Sequence, residues 1–168
     1  MRFSGVALLA SAAVLGACGG GGDKGATKTD TATASAPTQN PAPGAAASGV
    51  AKKPATGKTV EVKMIGDGTT YKFEPANITI KSGDNVKFIM VSGGPHNASF
   101  DPDSVPAAAK AQLSANMENQ MAELQGPLLS NPGDVYEISF AGIPAGKYPF
   151  HCTPHLAMNM KGTITVTP

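Results

Sequence analysis

A chain of 168 residues with a formal net charge of +1 can hold one ordinary domain and little more. With charge this nearly balanced, no strong field points to a nucleic-acid partner, and none is expected. Twenty glycines, 14 prolines, 5% aromatic residues and no tryptophan fit a turn-rich β domain joined to a segment too poor in large apolar residues to fold.

The N-terminus reads as an export signal, not as part of the fold. Arg2 supplies its positive end, and residues 6–15 supply an apolar core that falls short of the about 20 residues a spanning helix needs. It ends in Leu15-Gly16-Ala17-Cys18, which resembles the bacterial lipoprotein box, where the cysteine is lipidated and becomes the first mature residue. The resemblance implies a signal over 1–18 and an anchor at Cys18. It places the protein on a bacterial membrane, facing the periplasm or the cell exterior. Gly19, not being aspartate, implies outer-membrane sorting in a Gram-negative cell. The plainer alternative is a secretory signal cut near Ala17. Residues 19–57 are rich in Gly, Ala, Pro and Thr and are expected to form a disordered linker. A coil of that length spans about 35 Å on average and on the order of 130 Å when stretched.

From Lys58 the pattern becomes short β segments. Val60, Val62 and Met64 alternate with Glu61 and Lys63, the period of a half-buried strand. Ile78 and Ile80 follow Pro75, and a turn follows at Lys81-Ser82-Gly83-Asp84. Residues 86–91 form a continuous apolar run, which predicts a strand buried on both faces. Residues 104–125 break the pattern, with Ala109, Leu113, Met117, Met121 and Leu124 spaced as a helical stripe. Asp103 or Ser104 would cap that helix, Pro106 would lie in its first turn and Gly126-Pro127 would end it. Met117 and Met121 could suit Cu(I), but core packing explains them better. Strands are expected again over 135–140, 147–152 and 162–167. Spacing and turns together predict an all-β sandwich with one inserted helix over 58–168.

The domain holds one cysteine, Cys152, although an exported protein meets oxidising conditions. An inert side chain, a nucleophile and a metal ligand are the alternatives. Cys152, His155 and Met160 share one loop, and His96 lies upstream. Two imidazoles, a thiolate and a weak thioether are the donors of a blue-copper site. Zinc also takes two histidines and a cysteine, yet methionine is a poor zinc ligand and the loop has no carboxylate. A cysteine–histidine nucleophile finds no oxyanion donors, and a dinuclear copper centre would need a second cysteine.

At these residues the chain resembles the plastocyanin family of cupredoxins, from about Thr59 to Pro168. The anchors are Gly94-Pro95-His96-Asn97 and the Cys-x-x-His-x-x-x-x-Met loop of Cys152, His155 and Met160. The resemblance implies an antiparallel Greek-key β-sandwich holding one copper ion at one end. It makes Met160 the axial ligand in preference to Met158, and Asn97 a hydrogen-bonding brace for the ligand loop. It brings His155 to the surface as the electron exit, ringed by Gly94, Pro95, Pro154, Leu156, Ala157 and Met158, where redox proteins would dock transiently. Where plant and algal members carry an aromatic residue before the cysteine, this chain has His151, which strand alternation points away from Cys152 and towards solvent. Only Asp101 and Asp103 echo the acidic patches of plant members.

The expected function is single-electron transfer between membrane-associated redox partners by a monomer. The alternative is copper storage or delivery in the periplasm. An enzyme of the nitrite-reductase kind would need a second copper centre, which three histidines cannot build.

Overall fold

The computed structural model of the chain describes residues 49–168. The expected export signal, Cys18 and the expected linker up to residue 48 lie outside the described residues. Eight strands, one α-helix and a 3₁₀ turn follow in order: β1 Thr59–Gly66, β2 Tyr71–Glu74, β3 Asn77–Lys81, β4 Asn85–Met90, β5 Ser99–Phe100, α1 Ala107–Asn116, β6 Val135–Ser139, β7 Gly146–His151, the 3₁₀ turn Leu156–Met158 and β8 Lys161–Thr167. They build two four-stranded sheets, β2-β1-β4-β6 and β3-β8-β7-β5.

Alternation sets which residues meet between the sheets. Val62, Met64, Val86, Phe88 and Ile138 face inward from one sheet, and Ile80, Tyr148, Phe150, Ile164 and Val166 from the other. Each such side chain contributes about 1.5–3 kcal/mol when fully buried. Phe73, Phe88 and Phe150 close the gap as an edge-to-face cluster, with Phe150 4.6 Å from Phe73 and 5.4 Å from Phe88. This cluster pins β7 two residues before Cys152.

The sandwich and its inserted helix match the sequence reading, with four differences. The sheets are mixed, since β1 pairs parallel with β4 and β3 parallel with β8. β4 is not buried on both faces: Val86, Phe88 and Met90 point inward, while Lys87 and Ile89 are only partly covered and Val91 is exposed. α1 stops at Asn116, half-way along the stripe, and Pro106 precedes it with no side-chain cap. Two side-chain amides explain the stop. Asn116 is buried, donating to the Ser139 and Ala141 carbonyls at 2.8 and 3.0 Å. Gln120 donates to the carbonyls of Ser114 and Met117 at 2.8 and 3.0 Å, taking acceptors that a longer helix would use. Met117 and Leu124 remain in the core, whereas Met121 is exposed.

The fourth difference is at residues 51–57, which composition assigns to the linker. The Lys53 amide donates to Asn116 Oδ1 at 2.9 Å, and Gln112 Nε2 donates to the Ala51 carbonyl at 3.1 Å. The amides of Thr56 and Gly57 both donate to the Gly83 carbonyl, at 3.0 and 2.8 Å. Backbone and amide bonds hold this strap, so its lack of large apolar residues does not free it. It leads into Thr59 at one end of β1. The other end, Gly66, lies about 25 Å away along the strand, against Gly93 and Tyr71.

Candidate metal centre

Two chain crossings bring the candidate residues together at the Gly66 end. After β4 the chain turns through Ser92-Gly93-Gly94-Pro95. Gly93 has φ +72°, and a Cβ there would collide with the Gly66 backbone, so this close approach requires glycine. His96 then pairs with Leu129, exchanging amide and carbonyl at 3.0 and 2.7 Å. On the other sheet, β7 delivers Cys152 to a tight loop. The Cys152 amide donates to the Met160 carbonyl at 3.0 Å, and the Met160 amide to the His155 carbonyl at 3.2 Å. Those bonds fold the loop back on itself.

His96, Cys152 and His155 form the one cluster of His, Cys, Asp and Glu side chains suited to a metal among the described residues, and all three are buried. Nδ1 of His96 lies 3.1 Å from Nδ1 of His155, and Cys152 Sγ lies 3.6 and 3.4 Å from the two nitrogens. The centre of a triangle with these sides is about 2 Å from each corner, close to the bond lengths of nitrogen and thiolate ligands to a first-row metal. His96 Nε2 lies 2.8 Å from the Ser92 carbonyl. A carbonyl can only accept, so Nε2 carries the proton and Nδ1 presents a lone pair to the centre.

Met160 is fully buried beside this cluster in the loop, whereas Met158 is 47% exposed. Asn97, also fully buried, accepts from the Thr153 amide at 2.8 Å and donates to the Gly126 carbonyl at 3.3 Å and Thr153 Oγ1 at 3.4 Å. Thr153 Oγ1 donates in turn to Ser99 Oγ at 3.1 Å. The residue after His96 thus ties down the residue after Cys152. Thr153, Ser99 and Leu129 escaped the sequence reading, because ordinary loop residues carry no motif of their own.

Burial pushes the Cys152 thiol above its usual range, with hydrogen bonds to Asn97 and His155 opposing. Burial lowers both imidazoles, helped at His155 by the neighbouring His96 and opposed at His96 by the Ser92 carbonyl. Without metal the site is therefore a neutral thiol between two neutral rings.

Two histidines differ from expectation, His155 at the rim and His151 beside it. Gly94, Pro95, Pro154, Leu156, Ala157 and Met158 are all exposed, but His155 itself is only 7% exposed. The ring of Tyr71 lies flat on it, at 3.9 Å between centroids and 14° between planes. His151 is half-buried instead of free in solvent. It lines a surface cleft with Asp101, Glu123 and Lys161. Burial there lowers its pKa, with Asp101 opposing and Lys161 adding to the effect.

Comparison with known proteins agrees with this geometry. The family model described as copper binding proteins, plastocyanin/azurin family, matches residues 60–167. The plastocyanin of Scenedesmus fuscus is 38% identical over 107 residues, covering 64% of this chain and 98% of that protein. That of Prochlorothrix hollandica is 40% identical over 113 residues, covering 67% and 76%. Among solved structures, oxidised plastocyanin from Dryopteris crassirhizoma is 33% identical, covers 64% of this chain and 100% of that one, and has a TM-score of 0.48.

Proposed function

Since the chain belongs to the plastocyanin/azurin family of copper-binding proteins, we propose that it carries single electrons through one type 1 copper ion held by His96, Cys152, His155 and Met160. The observation that carries this reading is the buried triangle of two Nδ1 atoms and Sγ, with sides of 3.1–3.6 Å. Copper bound there supplies a Cu(I)/Cu(II) couple, which gains or loses one electron with no bond made or broken outside the site. The thiolate and the thioether suit the reduced ion, and the imidazoles suit both states. Burial of all four side chains keeps water out. The Asn97–Thr153 bonds and the loop's own backbone bonds oppose rearrangement between states. Burial of Met160 and exposure of Met158 support Met160 as the thioether that would complete the site.

The exposed rim of Pro95, Pro154, Leu156, Ala157 and Met158 would receive redox proteins in brief, small contacts. Lipidated Cys18 would hold the carrier at a bacterial membrane facing the periplasm or exterior. No helix among the described residues is long and apolar enough to cross a membrane.

Protein-film voltammetry tests the carrier role. A single reversible one-electron wave, with copper retained through repeated cycles, is the expected result. Rapid loss of Cu(I) to a modest chelator would instead favour copper storage or delivery. Met160→Gln is expected to keep the visible colour and shift the potential, and an unchanged potential would remove Met160 from the ligand set. Because the metal-free site holds a protonated thiol and neutral imidazoles, copper uptake at neutral pH should release about one proton per ion. Affinity should accordingly fall as pH falls. Calorimetry in buffers of different ionisation enthalpy checks this, and a release near zero would contradict thiolate ligation.

A further inference from the structure

Tyr71 opens β2, a four-residue strand at the edge of the sheet opposite the ligand loop. Its neighbour on the inward face, Phe73, joins the core cluster, while Tyr71 itself is only half-buried. Its ring is spent on the metal centre. It lies flat on His155 and meets His96 edge-on, at 6.2 Å and 67°. Among the described residues this is the one parallel stack, since every other close aromatic pair is tilted or edge-on.

Two like rings prefer an edge-on or offset approach, because their negative faces repel. A flat stack becomes favourable when one ring is electron-poor, and an imidazole bound to a cation is such a ring. The phenol face then attracts it as aromatic faces attract cations. The attraction grows with the charge on the metal, so it is stronger in the oxidised state than in the reduced one. The stack also joins the ligand loop to the other sheet, which restricts rotation of the His155 ring.

We propose that Tyr71 is a positioning residue acting through His155: its stacked ring fixes the imidazole plane and favours the oxidised ion, lowering the reduction potential of the site. The proposal rests on the blue-copper reading. At the poise where the wild-type protein is half-oxidised, loss of the ring should reduce the Cu(II):Cu(I) ratio about two- to fivefold.

The test uses the full chain with Tyr71→Leu and Tyr71→Met, which remove the ring but keep an apolar side chain, and Tyr71→Phe, which keeps the ring. In copper-free protein, NMR should show the His155 ring protons shifted upfield in wild type and Tyr71→Phe, and relaxed in the other two. In a redox titration the Leu and Met variants should move to higher potential, with Tyr71→Phe staying near wild type. Unchanged proton shifts or unchanged potentials in the Leu and Met variants would overturn the proposal. So would a Tyr71→Phe protein that follows them, since the hydroxyl and not the ring would then act. The copper-free measurement stands even if no variant, wild type included, turns blue, an outcome that would count against the blue-copper reading alone.

Discussion

Cys152→Ser is expected to abolish the intense visible absorption of the copper-loaded protein. The colour of a blue-copper site comes from charge transfer between a thiolate and Cu(II), and a serine hydroxyl at the same position offers no such transition. Sγ is the only sulfur among the three clustered donors, 3.6 and 3.4 Å from the two Nδ1 atoms. Serine is nearly the same size, so the fold should survive. The Phe73–Phe88–Phe150 cluster still fixes β7, and the amide of residue 152 can still donate to the Met160 carbonyl. Copper should bind more weakly, since an alcohol does not ionise at neutral pH as a metal-displaced thiol can. The absorption spectrum of the variant with one equivalent of Cu(II) is the measurement, and persistent strong colour would remove the basis for placing the ion here.

Asn116→Ala should have the largest effect on stability, and at the other end of the sandwich. One buried amide joins three parts of the chain: Nδ2 donates to the Ser139 and Ala141 carbonyls, and Oδ1 accepts from the Lys53 amide and from Gln112 Nε2. Alanine would leave two carbonyls, one backbone amide and one side-chain amide without their partner. Burying unpaired groups of this kind costs about 1–3 kcal/mol each, partly relieved where water can enter. We expect a net loss of ~3 kcal/mol and a Tm lower by on the order of 10 °C. The strap over residues 51–57 should loosen first, seen as faster amide exchange at Lys53. The colour of the copper-loaded protein should not change, because Asn116 lies at the strap end of the sandwich. A thermal melt within a degree or two of wild type would show that the network contributes little.

Much of the centre was legible because its residues obey fixed spacings. Cys152, His155 and Met160 lie in one loop closed by its own backbone bonds, and an unpaired cysteine in a domain expected to be exported asks for a ligand role. Asn97 was legible through its place beside His96. Tyr71 was not, because β2 is four residues long between a turn and Pro75, too short to show a period, and its contact lies across the sandwich. The two-residue β5 escaped for the same reason. The helical stripe ran on through Met121 and Leu124 in the sequence, but spacing cannot report that the Gln120 side chain takes the Ser114 and Met117 carbonyls or that Asn116 is tied to the Ser139 and Ala141 carbonyls. Composition likewise placed residues 51–57 in a linker, since it counts apolar side chains and these residues are held by backbone amides and carbonyls. The mixed sheets follow from which strands become neighbours, and an alternating pattern is the same in parallel and antiparallel pairs.

In the proposed site one copper ion sits among two imidazoles, one thiolate and one thioether. Electron-paramagnetic-resonance spectroscopy of the purified protein with one equivalent of Cu(II), alongside its optical spectrum, tests it most directly. Narrow copper hyperfine splitting with an intense blue or green band, bleached reversibly by a mild reductant, is the predicted result. Wide splitting with a pale spectrum would contradict it, because the thiolate would then not share the electron spin.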